Sequence, residues 1–274
     1  MSDKKTISIS VLSGKGGVGK SNLALNLCYG LHQIGHSVLL MDCDMGLANM
    51  DVLIGVAPQK HVQDILIKNQ DPASVLVPIG PEGSSGFDLL PANSGMAEFV
   101  ELDSGARAIL RDRLNPLAER YDFLCLDIGA GISSTALGFG AMTALRLVVV
   151  TPEPTSLTDS YAMIKVMMAR YNVRDFFVLV NQVESEAEAR QTYNRLAAVC
   201  QRFLGFAPAY LGEVRLDRTL VEAVRKQTPL LQLAPRSPAA VDCMNLASIL
   251  HRQRESMLRQ GYKSPPLTPT NISV

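Results

Sequence analysis

The stretch that decides the fold is GKGGVGKS, residues 14–21. It fits the pattern G-x-x-x-x-G-K-[ST], in which glycine-rich backbone wraps phosphate oxygens at the N-terminus of a helix. An apolar, β-branched run from Ile7 to Leu12 precedes it, and leucines at helical spacing follow from Ser21. Strand, glycine loop and helix in this order predict a nucleotide phosphate site.

The residues expected to hold the nucleotide lie in this loop and in the first turn of the helix: Gly16, Gly17, Val18, Gly19, Lys20, Ser21 and Asn22. In this motif the lysine reaches the β and γ phosphates and the hydroxyl ligates Mg²⁺. We therefore assign the first role to Lys20 and the second to Ser21.

Short buried runs recur along the chain, with helical stretches between most of them: Val38 to Met41, Phe87 to Leu90, Phe123 to Leu126, Leu147 to Thr151, Phe176 to Val180 and Ala209 to Leu211. This alternation predicts a single-domain α/β P-loop NTPase, with a mostly parallel central sheet flanked by helices on both faces. We place the domain at residues 1–262, with a loop at 78–86. Residues 263–274 are rich in proline and hydroxyl side chains and are expected to form a flexible tail.

Composition limits the partners. The 274 residues contain 26 acidic and 26 basic side chains, so no net field attracts nucleic acid or anionic lipid. The most basic local stretch has only His251, Arg252, Arg254 and Arg259. We expect no strong direct nucleic-acid binding. The five cysteines form no C-x-x-C pair and the N-terminus has no apolar signal-peptide core, which predicts a reduced, cytoplasmic protein.

Acidic residues end two of the predicted strands. Asp42 and Asp44 follow one buried run and, two residues apart, leave the strand on the same side. Asp127 ends another. Ligands of α/β sheets bind beyond the carboxyl ends of the strands, where such carboxylates can hold the waters of a metal and orient an attacking water.

KGGVGKS, residues 15–21, resembles the deviant Walker A motif of the MinD/ParA ATPases, and the resemblance covers about residues 5–250. It implies that ATP is the nucleotide and that Lys15 crosses the interface of an ATP-bound homodimer to the partner's phosphates. Residues 42–51 resemble the family's switch I segment. By that match Lys15, Lys20 and Asp44 are catalytic, with Asp44 positioning the hydrolytic water, and Asp42 joins Ser21 and Asp127 around the metal.

The base contacts also come from the resemblance. Asn181, after the run from Phe176 to Val180, resembles the family's adenine-contacting asparagine. A second base contact is often Ile-Pro-x-Asp after the last strand, where this chain has VRLD at 214–217. Asp217 is the candidate at that position.

Two further segments, DIGAGI at 127–132 and residues 151–165, resemble the FlhG/FleN branch, MinD-like ATPases that control flagellar number and position. The resemblance implies flagellar regulators as partners: an FlhF-like GTPase, a transcription activator or a basal-body component. Because only about six residues precede the first predicted strand, we expect partners to contact the dimer face and not an N-terminal helix. Transient location at the membrane or cell pole is also implied.

Two other functional classes stay open on the sequence: a division-site or cargo-positioning ATPase, and a metabolic or metal-cluster enzyme, for which the scattered cysteines supply no ligand cluster. Near the C-terminus, Val241, Met244, Ala247 and Leu250 have helical spacing and are expected to pack on the domain. We therefore expect weak or no membrane binding by the monomer.

Overall fold

The computed structural model describes residues 5–80, 87–95 and 101–270. Within them one central sheet contains eight strands: β1 (Ile7–Leu12), β2 (Val38–Cys43), β3 (Val77–Ile79), β4 (Phe87–Leu90), β5 (Phe123–Ile128), β6 (Leu145–Val150), β7 (Phe176–Val183) and β8 (Ala209–Arg215). Their spatial order is β3-β4-β2-β5-β1-β6-β7-β8, and all neighbours run parallel except β3 and β4. The predicted mostly parallel α/β fold is confirmed.

The described helices cover both faces of the sheet: α1 (Lys20–Gln33), α2 (Met50–Ile54), α3 (Val62–Ile67), α4 (Ser104–Ala118), α5 (Ser134–Met142), α6 (Pro154–Tyr171), α7 (Glu186–Leu204), α8 (Thr219–Arg225), α9 (Leu230–Leu233) and α10 (Pro238–Arg259), with a 3₁₀ turn at Pro72–Val75. Two buried clusters result. One contains α1 and α10, and the other contains α4 to α7.

Strand β1 shows how the sequence positions the site. All six residues of β1 are buried, because helices cover both sides. Val11 belongs to the core under α1, whereas Leu12 belongs to the opposite core. Ser10, also buried, lies 2.9 Å from the hydroxyl of Thr143. The strand that leads into residues 14–21 is therefore fixed from both faces.

The structure differs from the predicted loop at 78–86. Residues Val77–Ile79 form β3, a short antiparallel strand at the edge of the sheet. Proline is tolerated in an edge strand because one side of such a strand needs no backbone donor, so Pro78 does not prevent pairing. Residues 81–86 lie outside the described part of the chain.

The predicted tail, residues 263–274, also differs over its described part. Leu267 is fully buried, and its backbone N–H and C=O are both bonded to the side-chain amide of Asn115 in α4. Thr268 donates from its backbone N–H and its hydroxyl to the carbonyl of Met142. One leucine and a paired backbone are enough to pack a segment whose composition resembles a disordered tail.

The C-terminal helix α10 packs on the domain through only part of the expected stripe. Ala247 and Leu250 are buried and Met244 is half-buried, whereas the expectation was wrong for Val241, which is exposed. Near the end of the helix Arg254 is itself buried and donates to Asp122, 2.9 Å away, just before β5. No helix in the described residues has the length and apolar character needed to cross a membrane.

We expect Asp122→Asn to lower the free energy of unfolding by about 1–3 kcal/mol at pH 7, because it takes from the buried Arg254 the nearer of its two carboxylate partners and leaves only that of Glu255. The side chain of Asp122 also accepts from the backbone and hydroxyl of Ser37. His36, whose Nδ1 lies 3.7 Å from Oδ2 of Asp122, is the main neighbour that holds the pKa of this carboxyl below the usual 3.8. The bonds from Ser37 and the charge of Arg254 lower this pKa further. A carboxyl with a lowered pKa stabilises the fold above its ordinary value and loses that contribution as the pH falls through its folded value.

The difference between the wild-type protein and Asp122→Asn should therefore shrink below about pH 4. Urea unfolding at pH 7 and pH 3 measures both quantities. Glu222→Gln, which breaks the exposed ion pair of Glu222 with Lys226, is the matched control and should change little. Equal stability of Asp122→Asn and the wild-type protein would contradict the assigned role.

Candidate functional site

The phosphate loop connects β1 to α1 at the carboxyl end of the sheet. Helix α1 begins at Lys20, directly after Gly19, whose φ of 85° lies in the left-handed region that favours glycine. The N-terminus of α1 has no side-chain cap, so its first backbone N–H groups can bind anion oxygens. Gly14 touches α6: a Cβ there would lie 2.2 Å from the carbonyl carbon of Asp159.

The loop surrounds a cavity of about 480 Å³. Its lining includes most of the predicted phosphate and catalytic residues: Gly16, Gly17, Gly19, Lys20, Ser21, Asn22 and Asp44. Leu47, Asn49 and Val52 close one side. The structure thus brings residues from two strand ends and one helix terminus into a single space. The roles assigned to these residues stay predictions.

Lys20 and Asp127 form a buried ion pair behind this cavity. The Lys20 Nζ lies 2.8 Å from Oδ1 of Asp127, and the two side chains are only 8% and 1% exposed. The second carboxylate oxygen, Oδ2, is buried and has no hydrogen-bond partner in the described residues. An unpaired buried carboxylate oxygen is costly, so this atom indicates a missing ligand.

Asp42 lies directly beside Asp127, because the two residues are paired across β2 and β5. Its carboxylate accepts backbone N–H groups of Asp44, Asn49 and Met50 at 2.9 to 3.1 Å. Burial and the charge of Asp127 raise the pKa of Asp42 to about 7, although the three N–H groups lower it. The two carboxylates therefore lie side by side, and of the two only Asp127 is paired with Lys20.

The donor set fits Mg²⁺, which takes oxygen ligands and keeps several waters. It comprises the Ser21 hydroxyl and the free Oδ2 of Asp127, with Asp42 beside Asp127 and its own carboxylate oxygens already bonded to backbone N–H groups. The Ser21 hydroxyl makes no hydrogen bond within the part of the chain that the structure describes, so it is available to a ligand. A divalent cation here would compensate the excess carboxylate charge.

Asp44 lies where the loops after β2 and β5 meet. Its Oδ1 accepts the backbone N–H of Leu47 at 3.1 Å, and a Cβ on Gly129 would lie 3.2 Å from its carboxyl carbon. A side chain at position 129 would therefore push the carboxylate of Asp44 by a few tenths of an ångström. The carboxylate therefore borders the cavity next to the glycines of residues 127–132.

Lys15 is separated from the cavity of its own chain. Its Nζ pairs with the carboxylate of Glu153 and donates to the hydroxyl of Thr155, 3.0 Å away, at the start of α6. Neither Glu153 nor Thr155 is predicted from the sequence as a partner of Lys15. Both residues do lie in the segment 151–165, which resembles the FlhG/FleN branch.

Asn181 and Asp217 meet in a second cavity of about 190 Å³, and Asn22 lines both cavities. The amide nitrogen of Asn181 donates to the carbonyl of Val18 at 2.8 Å, which connects β7 to the phosphate loop. Both oxygens of Asp217 accept backbone N–H groups, one from Thr219 and one from Ala239. Asp217 thereby joins α8 to α10.

These features define a P-loop nucleotide-binding protein: a phosphate loop, strand-end carboxylates and a second cavity that shares the lining residue Asn22 with the first. The profile of the CobQ/CobB/MinD/ParA nucleotide binding domain matches residues 9–230. The chain belongs to this family.

Two named relatives support the predicted resemblance to the FlhG/FleN branch. The antiactivator FleN of Pseudomonas aeruginosa is 36% identical over 233 residues, which is 85% of this chain and 82% of FleN. The flagellum site-determining protein YlxH of Helicobacter pylori is 33% identical and covers 93% of this chain and 87% of its own. The MinD protein of Pyrococcus horikoshii, solved with Mg-ADP, superimposes with a TM-score of 0.74 at 21% identity, over 91% of this chain and 97% of that one.

Proposed function

We propose that the protein is a Mg²⁺-dependent ATPase of low intrinsic rate whose ATP-bound form is a homodimer. The observation that carries the hydrolytic part is the shared cavity of Lys20, Ser21 and Asp44, together with the partner of Lys20, Asp127, whose second carboxylate oxygen has no hydrogen bond among the described residues. The larger cavity suits a triphosphate and the smaller one a base, and Asn22 lines both.

Each residue has a distinct task in this proposal. Lys20 exchanges its bond with Asp127 for the β and γ phosphate oxygens, and Ser21, Asp42 and Asp127 hold the metal and its waters. Bound Mg²⁺ supplies positive charge that neutralises the triphosphate. Asp44 orients the attacking water at the rim of the cavity. Together they position and neutralise, which is most of what phosphoryl transfer requires.

The lining of the phosphate cavity supports the proposal of a low intrinsic rate of hydrolysis. No arginine is among the described residues that line the phosphate cavity. An arginine that stabilises the transition-state charge accelerates related hydrolyses by about 10³ to 10⁵. The chain by itself therefore lacks a large part of the available acceleration, and Lys15 of a second copy can supply positive charge in its place.

Two features of the surface support the dimer. Lys15 is held at the surface by Glu153 and Thr155 and is directed away from its own phosphate cavity. Leu47 and Val52, at the mouth of that cavity, are 76% and 60% exposed. Exposed apolar side chains around a functional site are typical of a surface that another protein covers.

The cellular role proposed here is restraint of flagellar number or placement. It is supported by FleN, named an antiactivator, and by YlxH, named a flagellum site-determining protein, each more than 30% identical over most of this chain. The ATP dimer would present a surface to a flagellar transcription activator, an FlhF-like GTPase or a basal-body component. ATP hydrolysis would then dissociate the dimer and remove that surface.

Cells that lack this protein should carry too many or misplaced flagella. Cells with Asp44→Ala should carry too few, because that form is expected to stay dimeric. Counting flagella by electron microscopy tests both, with Asp51→Ala as a control at an acidic residue outside the assigned site. Normal flagellation of the deletion strain, with minicells or misplaced cargo instead, would favour the division-site or cargo-positioning function.

Membrane association by the monomer is proposed to be weak or absent. The stripe of α10 that includes Ala247 and Leu250 is buried, and Arg254 is engaged by Asp122. Neither is free to contact lipid. Any transient position at the membrane or cell pole would therefore depend on dimer formation or on a partner.

A further inference from the structure

Gln182 has a positive φ although it lies inside a β-strand, where the backbone is normally extended. Four non-glycine residues in the described chain have a clearly positive φ: Asn69, Asn172, Gln182 and Gln227. Asparagine tolerates this region, and Asn172 is the C-cap of α6. Gln227 follows the end of α8. Gln182, with φ of 60°, lies within the span of β7.

The conformation coincides with an irregularity in the pairing of β7 with β8. Asn181 pairs with Val214 and Val183 pairs with Arg215, so Gln182 is the extra residue of a bulge. A bulge redirects the side chain of the extra residue, and such features are frequent next to functional sites. Here the redirected residue lines the 190 Å³ cavity beside Asn181.

The side-chain amide of Gln182 has no hydrogen-bond partner among the described residues. Its neighbours in the cavity are partly engaged: the amide nitrogen of Asn181 donates to Val18, which leaves only its oxygen, and both oxygens of Asp217 accept backbone N–H groups. Of these three residues only the half-buried Gln182 keeps both a donor and an acceptor at the lining of the cavity without a protein partner in the described chain.

We propose that Gln182 determines the purine specificity of the nucleotide site, by pairing its amide with the 6-amino group and N7 of adenine. An amide matches this edge of adenine, which presents one donor and one acceptor. Guanine presents two acceptors, O6 and N7, on the same edge, so the amide oxygen finds no donor there. The left-handed backbone is the conformational cost of aiming this amide into the cavity. The inference rests on the proposed ATP-binding function and adds the residue that selects the base.

Two variants of Gln182 separate the loss of adenine recognition from the effect of backbone strain on stability. Gln182→Met keeps the length of the side chain and the strained backbone but removes the amide. Gln182→Gly removes the amide and also relieves the strain, since glycine adopts positive φ freely. Asn172→Gly is the control, because it makes the same backbone change at the end of α6, away from the cavity.

Calorimetric titration with the Mg²⁺ complexes of adenylyl- and guanylyl-imidodiphosphate measures affinity and selectivity, and thermal unfolding without nucleotide measures stability. We expect both Gln182 variants to bind the adenine analogue about tenfold more weakly, with the guanine analogue unchanged. Gln182→Gly should also unfold at a higher temperature than the wild-type protein. Asn172→Gly should retain wild-type affinity for both analogues.

If both Gln182 variants keep the affinity and selectivity of the wild-type protein, the inference is wrong and the bulge has only a structural role. Binding of the adenine analogue by the wild-type protein would still support the proposed function in that case. A wild-type protein that binds neither analogue would overturn the proposed function, and this inference with it.

Discussion

Asp44→Asn is expected to bind ATP and to hydrolyse it at least about 100-fold more slowly than the wild-type protein, the size of effect that a positioned proton acceptor contributes. Asparagine retains the shape of aspartate and an oxygen that accepts the N–H of Leu47, so the loop after β2 should keep its conformation. What it loses is the negative charge that orients the attacking water. Phosphate release and ATP affinity, measured on the same preparation, separate turnover from binding.

Asp51→Asn is the matched control for this variant. Asp51 lies on the same segment, in the first turn of α2, and its carboxylate accepts only the N–H of Val52 among the described residues. Its turnover should equal that of the wild-type protein. Undiminished hydrolysis by Asp44→Asn would remove Asp44 from the catalytic assignment.

Lys20→Ala is expected to lose ATP binding, in contrast to Asp44→Asn, but this substitution also affects the stability of the fold. Lys20 is the buried cation paired with Asp127, so its removal leaves that buried carboxylate without its counter-charge. Breaking one side of such a pair costs about 3–5 kcal/mol of stability. Loss of binding by this variant alone does not separate the two effects, which is why the Asp44 variant is the sharper test.

The sequence predicted the parts of the site that are local. Lys20 and Ser21 follow from a contiguous motif, and Asp42, Asp44 and Asp127 follow from apolar runs that end in a carboxylate. In parallel strands these ends meet at one edge, so spatial proximity needed no knowledge of side-chain contacts. The same reasoning predicted most strands to within a few residues.

Contacts between distant segments were beyond that reasoning. Glu153 lies 138 residues from Lys15, and nothing in either local pattern indicates that they meet. The burial of Leu267 depends on Asn115, 152 residues away, although its composition indicated a tail. Strand β3 was missed because a three-residue edge strand containing proline has almost no periodicity. Gln182 was missed because its backbone conformation arises from the register of β7 against β8.

The proposed ATP-bound homodimer is expected to depend on Lys15. In the single chain this lysine pairs with Glu153, but both side chains are substantially exposed, at 35% and 58%. Such a pair contributes only about 0–1 kcal/mol, so it can be exchanged readily for a stronger contact. The triphosphate of a second copy offers that contact, and ADP lacks the γ-phosphate. A ligand shifts an equilibrium only through contacts that differ between the two states.

We therefore expect sedimentation of the Asp44→Asn protein to show a dimer with ATP and a monomer with ADP. Adding Lys15→Ala should weaken the ATP dimer about tenfold or more, since charge-assisted hydrogen bonds contribute about 1.5–3 kcal/mol. Lys60→Ala is the control, because Lys60 is also exposed and bonds to Gln70 and Ser74 instead. If the protein stays monomeric in every nucleotide state, or if Lys15→Ala dimerises as well as Lys60→Ala, Lys15 does not act across an interface. Its contacts with Glu153 and Thr155 would then be its whole role.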